Sequence, residues 1–201
     1  MMKPTHKLID TRCMNDVQRN AVKNIIEMDP HYEPVKWGTL TFTEHSPAAK
    51  DLNLAVGTFK RYCCEIVKRT KSHGYPMAAV DVQPDSGFYH IHYVWCNERP
   101  THRKRRKPTE FLLRTRWRRG WKGVAGRGWI QENLNYDASK GGVVYALRHR
   151  YYIPIVAPFC PPKGQRCGKG SCGLEHLNFV DPVSSILGAK AKMVICRPSQ
   201  K

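Results

Sequence analysis

Residues 77–95 hold the pattern that most restricts what this chain can become. Met77-Ala78-Ala79-Val80-Asp81-Val82-Gln83 reads as a strand, Pro84-Asp85-Ser86-Gly87 as a turn, and Phe88 to Trp95 as a second strand. Strand, tight turn, strand is a β-hairpin, so the fold must contain antiparallel sheet. Side chains on a strand alternate between two faces, which puts His90 and His92 on one face and Ile91 and Tyr93 on the other. A turn centred on Asp85-Ser86 sets Asp81 opposite His90, with Cβ atoms roughly 5 Å apart. Gln83 is then diagonal to His90 on the same face. Two imidazoles and a carboxylate oxygen, with coordination positions to spare, suit Mn²⁺ or Mg²⁺ engaged in phosphate chemistry. Asp81 is the expected third metal ligand; a bulge that slipped the register would bring Gln83 nearer instead.

The flanking sequence adds elements of both kinds. Residues 1–34 read as a polar lead-in with a helix from Asp16 to Met28. Val35 to Thr43 alternates and is rich in β-branched and aromatic residues, a strand. Ser46-Pro47 has the form of a helix start, and an apolar stripe from Leu52 through Val67 carries that helix to about Thr70. Trp129 to Tyr136 reads as a strand. Ser139 to Tyr152 reads as a helix stopped by Pro154. On such a helix Tyr145, Arg148, His149 and Tyr152 share a face, while Val144, Leu147 and Tyr151 face the core. A phenol beside a guanidinium is a nucleophile suited to a phosphodiester, because the cation favours the phenolate and binds phosphate.

Charge narrows the partners. The 201 residues carry 34 Lys and Arg against 16 Asp and Glu, a formal +18. That balance points to a polyanion. Eleven of the basic residues lie between Arg103 and Arg127, against Glu110 alone. Trp117 and Trp121 are interleaved with Arg114, Arg116, Arg118, Arg119 and Lys122, which suits a groove for single-stranded nucleic acid, where charges follow phosphates and indoles stack on bases; a solvated linker with a localisation-like Arg103–Lys107 cluster fits the same residues equally. Cys160, Cys167, Cys172 and His176 have the spacing of a tetrahedral Zn²⁺ site resembling CCCH zinc fingers, in a segment too poor in apolar residues to order itself without metal. Gly164 to Gly170 imitates a phosphate-binding loop, but Lys163 stands where the first glycine is needed and Gly170 where Ser or Thr should bind Mg²⁺. No apolar run is long enough for a transmembrane helix, and the N-terminus has no signal-peptide core, so an intracellular protein away from the membrane is expected.

The strand Thr39–Thr43, the Asp81…His90-Ile91-His92 hairpin and the Tyr145-Ala146-Leu147-Arg148 helix come in an order that resembles the HUH endonuclease superfamily. The likeness is greatest to the replication-initiator branch, which begins rolling-circle replication of small plasmids and single-stranded DNA viruses. It spans roughly residues 35–155. The resemblance implies an α+β, ferredoxin-like core with a central antiparallel sheet, His90 and His92 as metal ligands, and Tyr145 as the nucleophile that keeps a 5′ phosphate covalently. It also implies single-stranded DNA at a replication origin as substrate and a host helicase and polymerase as partners. The compartment would be the cytoplasm of a prokaryotic host, or the nucleus of a eukaryotic one. Two positions depart from the family pattern. Arg148 stands where Lys is usual, and it can clamp phosphate but cannot shuttle a proton. His149 stands where some relatives carry a second tyrosine, with Tyr151 and Tyr152 just beyond. Three segments are expected: 1–34 as an arm, 35–155 as the nuclease with a basic insertion at 101–127, and 156–201 as a zinc-binding segment. A transposase or relaxase is the alternative with the same chemistry. A non-catalytic zinc-finger protein that binds single-stranded nucleic acid is the alternative of a different class.

Overall fold

The alternation around the two histidines carries through into a seven-stranded sheet in which every neighbouring pair is antiparallel. The computed structural model describes residues 6–70, 74–99, 130–154, 181–190 and 192–196. The strands are β1 (His6–Asp10), β2 (Tyr32–Thr41), β3 (Gly74–Val82), β4 (Tyr89–Glu98), β5 (Ile130–Asn135), β6 (Tyr151–Ile153) and β7 (Met193–Cys196). Their spatial order is β5-β2-β4-β3-β6-β1-β7. Among the described residues four α-helices accompany them: α1 (Asp16–Glu27), α2 (Leu52–Thr70), α3 (Gly142–Leu147) and α4 (Pro182–Leu187). The class is α+β. No helix among the described residues is long and apolar enough to cross a membrane.

Each face of the sheet has its own cover. Leu40, Val80, Ile91, Tyr93 and Trp95 face α2, where Val56, Phe59, Cys63, Ile66 and Val67 complete one core. The intervening residues Ile9, Met77, Val94, Cys96 and Tyr152 face the other way. They are covered by Val22 and Ile26 of α1, Val143, Ala146 and Leu147 of α3, and Val183 and Leu187 of α4. A six-residue helix is too short to persist alone. Burial of Val143 and Leu147, at about 1.5–3 kcal/mol for a side chain of that size, is what holds α3 against the sheet.

Several local features differ from the sequence expectations. The hairpin register is as expected: Asp81 pairs with His90, and Gly87 at φ 69° closes the turn. The helix after residue 46 starts later. Pro47–Ala49 is a separate 3-10 turn, and α2 is capped by the Asp51 carboxylate, which accepts from the Leu54 amide at 3.0 Å, not by Ser46. The tyrosine helix is much shorter than Ser139–Tyr152. It begins after Gly141 at φ 63° and ends at Leu147, and Tyr151-Tyr152-Ile153 forms β6 between β3 and β1. Aromatic and β-branched residues favour a strand, and pairing on both sides settles the matter. Tyr152 is therefore not beside Tyr145. It is fully buried, and its hydroxyl donates to Asp181 at 2.7 Å.

Strand pairing and core packing cross the expected segment divisions at 34/35 and 155/156. From the first segment, β1 pairs with β6 and β7 and α1 packs on the core. From the last, α4 covers the same core and β7 joins the same sheet. Asn15 and Gln18 form a reciprocal capping box at the start of α1, so this helix has its own start signal. The basic segment with Arg114, Arg116, Trp117, Arg118, Arg119, Trp121 and Lys122, and the cysteine cluster of Cys160, Cys167, Cys172 and His176, lie outside the described residues.

Candidate metal centre

Three imidazoles meet at the end of the sheet face that α3 covers. His90 and His92 come from alternate positions of β4, and His149 from the link between α3 and β6. One ligating atom from each lies within 4.8 Å of the others. The His92 and His149 rings stack at 3.7 Å with an interplanar angle of 15°, and His90 stands edge-on to His92 at 4.6 Å.

Hydrogen bonds divide the ring nitrogens into two sets. His92 Nδ1 is 2.9 Å from Thr39 Oγ1, on the neighbouring strand where Thr39 pairs with His92. His149 Nδ1 is 3.0 Å from Asp81 Oδ2. The nitrogens left buried without a partner are His90 Nδ1, His92 Nε2 and His149 Nε2. Buried polar atoms are nearly always paired, and three unpartnered imidazole nitrogens in one cluster could together hold a cation. The tautomers follow. With Nε2 kept for a cation, Nδ1 of His92 donates to the Thr39 hydroxyl and Nδ1 of His149 donates to the Asp81 carboxylate.

Electrostatics favours neutral His90 and His92, the form in which an imidazole could bind a metal. Burial, reinforced by His149 and His90, pushes the His92 pKa down to about 2. Burial also lowers His90, with His149 adding to the effect and Asp81 opposing it. Neutral imidazole has the lone pair that a cation needs, so neither ring demands proton release at neutral pH.

Asp81 is thus placed differently from its expected role. Its Oδ2 bonds His149 and its Oδ1 accepts from the Val82 amide at 2.8 Å, so both oxygens orient rather than join the triad. Gln83 is turned toward the hairpin loop, where its Oε1 accepts from Ser86 Oγ at 3.3 Å. His149, which the sequence placed beside Tyr145 as part of the catalytic face, is the third member of the histidine cluster that could hold a metal. Its signal was present, four residues after the tyrosine on the same helical face, but nothing local connected it to the hairpin 57 positions earlier, at His92.

Tyr145 borders the triad. Its ring is edge-on to His92 at 5.1 Å, to His149 at 4.8 Å and to Trp37 at 6.3 Å. These three edge-to-face contacts fix the phenol direction. At 45% exposure the ring is still open to a ligand from solvent. Arg148 points elsewhere: its guanidinium lies 3.6 Å from Asp16 at the start of α1, on the surface. Neither nearby tyrosine repeats Tyr145's position. Tyr151 pairs with Val80 and packs toward α2, while burial and Asp181 hold the Tyr152 phenol well above its ordinary pKa.

Compared with protein-family models, with curated proteins and with solved structures, the chain shows no match.

Proposed function

We propose that this chain is a metal-dependent, single-stranded DNA nicking and joining enzyme of the HUH kind, acting as a rolling-circle replication initiator. The observation that carries this reading is an exposed phenol, Tyr145, held against three imidazoles whose free nitrogens converge. The order of strand, hairpin and tyrosine helix agrees with it, as does a formal charge of +18. The α+β sheet would be the ferredoxin-like core of that superfamily.

In this reading His90, His92 and His149 hold one divalent ion, and Asp81 and Thr39 hold two of the ligand rings in place. Bound there, the ion would supply Lewis-acid polarisation of the scissile phosphate. Three neutral nitrogens favour Mn²⁺ or another borderline ion over Mg²⁺, which prefers oxygen. Tyr145 attacks phosphorus in line and loses its proton to water. The bond to the 3′ oxygen breaks, that oxygen takes up a proton, and the 5′ phosphate remains on the tyrosine. The free 3′ hydroxyl primes synthesis by the host polymerase behind a host helicase, and attack by a 3′ hydroxyl reverses the step. Arg148 is close enough in sequence to contact a bound phosphate once it leaves Asp16, and the 114–122 segment is assigned to the single strand. The Cys160, Cys167, Cys172 and His176 cluster is assigned to a structural Zn²⁺, separate from the chemistry.

The test is a covalent adduct. Full-length protein, Mn²⁺ and a library of single-stranded oligonucleotides should give a species that survives denaturing electrophoresis and maps to Tyr145. Tyr145→Phe should abolish it while binding DNA and Mn²⁺ as the parent does. An adduct that persists in this variant removes Tyr145 as the nucleophile. A parent protein that binds single-stranded nucleic acid but never forms an adduct favours the non-catalytic zinc-finger reading.

A further inference from the structure

The link that carries His149 is short: α3 ends at Leu147 and β6 begins at Tyr151. Carbonyls at the end of a helix have no intrahelical donor. Here the donors come from the far end of the chain. Arg19 Nε donates to Leu147 O at 3.3 Å. Thr11 Oγ1 donates to His149 O at 2.6 Å, across 138 positions of sequence. The Thr11 amide donates to Arg150 O at 3.3 Å.

Thr11 is fully buried, and Arg19 has a side chain only 13% exposed that is also anchored to Asp16 at 3.0 Å. Thr11 meets the backbone carbonyl of His149, and Arg19 that of Leu147, rather than a ring of the triad. Asp81 holds the His149 ring at Nδ1 and His92 stacks on it, while the backbone is held by the Thr11 hydroxyl at the carbonyl and by Ala146 O, which accepts from the His149 amide at 3.3 Å. Without the Thr11 hydroxyl the carbonyl side of the turn loses a fixed point, and a small rotation there carries Nε2 out of line with His90 and His92.

We infer that Thr11, backed by Arg19, is a positioning residue of the metal centre, its hydroxyl fixing the backbone of the turn that delivers His149. The inference rests on the metal-binding reading of the triad. It gives the β1–α1 region a task in the site that composition and spacing do not show. A hydroxyl at this spot also cannot be replaced by packing alone. Valine has the same shape and would leave the His149 carbonyl without the Thr11 donor.

The experiment measures Mn²⁺ binding to the full chain by electron paramagnetic resonance of the free ion, for the parent, Thr11→Val, Thr11→Ser, Arg19→Gln and His149→Ala. Thermal unfolding of the metal-free proteins is read alongside. The parent should bind one ion per chain at this site, and His149→Ala should lose it. Thr11→Val should bind about three- to tenfold more weakly, the size of one hydrogen bond. Thr11→Ser should recover the parent's affinity, and Arg19→Gln should fall between. Thr11→Val binding as the parent does, while His149→Ala is impaired, overturns the inference and leaves the triad reading intact. Equal losses in Thr11→Val and Thr11→Ser, tracking their melting temperatures, assign Thr11 to packing and also overturn it. A parent that binds no ion overturns the metal reading itself, and the inference with it.

Discussion

Asp81 and His149 provide the sharpest test of the site, because sequence and structure give them different roles. If Asp81 were a ligand, its loss would be as damaging as that of either hairpin histidine. With Asp81 bonded to His149 Nδ1 at 3.0 Å and standing outside the triad, its removal only loosens a ring. Loss of an outer partner of this type weakens metal binding about 10- to 100-fold, or roughly 1.4–2.7 kcal/mol. Loss of His149 deletes one of three nitrogens and should weaken binding beyond that range. Asp81→Asn retains an oxygen that can accept from Nδ1 and loses only the charge, so it should sit nearest the parent. The expected order of weakening is His149→Ala, then Asp81→Ala, then Asp81→Asn. Calorimetric titration of full-length protein with Mn²⁺ measures the order directly, with near-ultraviolet circular dichroism confirming that each variant retains its packing. The reasoning is refuted if Asp81→Ala loses the ion altogether while His149→Ala still binds it.

Other outcomes follow from the same chemistry. His92 is held far below its unfolded pKa of about 6.5, so acid favours the unfolded chain, which takes up the proton first. Between pH 7 and 5 the metal-free protein should lose stability as pH falls, with His92 contributing up to about 1.4 kcal/mol per pH unit once below 6.5. Urea midpoints should show the slope, and His92→Gln should flatten it. Zinc analysis of protein made under reducing conditions should find one tightly held equivalent that Cys167→Ser removes. Mild chelation should strip the hairpin ion and stop cleavage, with Mn²⁺ restoring it.

What could be read from the sequence was whatever depends on near neighbours. The pairing of Asp81 with His90 was legible because a four-residue loop fixes register and side chains alternate strictly. The convergence of His149 on His90 and His92 was not, because it depends on α3 docking through Val143, Ala146 and Leu147 against a sheet face built from remote strands. β1 was illegible for the same reason. His6–Asp10 is five residues long, and its strand character comes from partners on both sides rather than from its own pattern. Tyr152 is the opposite case: it fitted a helical period with Tyr145, yet its pairing with Ile9 and Ala79 overrode that period.

The position of β1 also has a consequence for the order in which the protein is made. Ile9 pairs with Tyr152 and His6 with Cys196, so the described partners of β1 lie about 140 residues or more further along the chain. Until those residues are made, Thr11 has no carbonyl to hold, and the third imidazole has no fixed place. The β2-β4-β3 region, joined by a local hairpin, is free to form first. Pairing that closes so large a loop is slow. A nascent chain would therefore carry two of the three histidines in an ordered hairpin well before β6 docks between β3 and β1 and sets the third beside them.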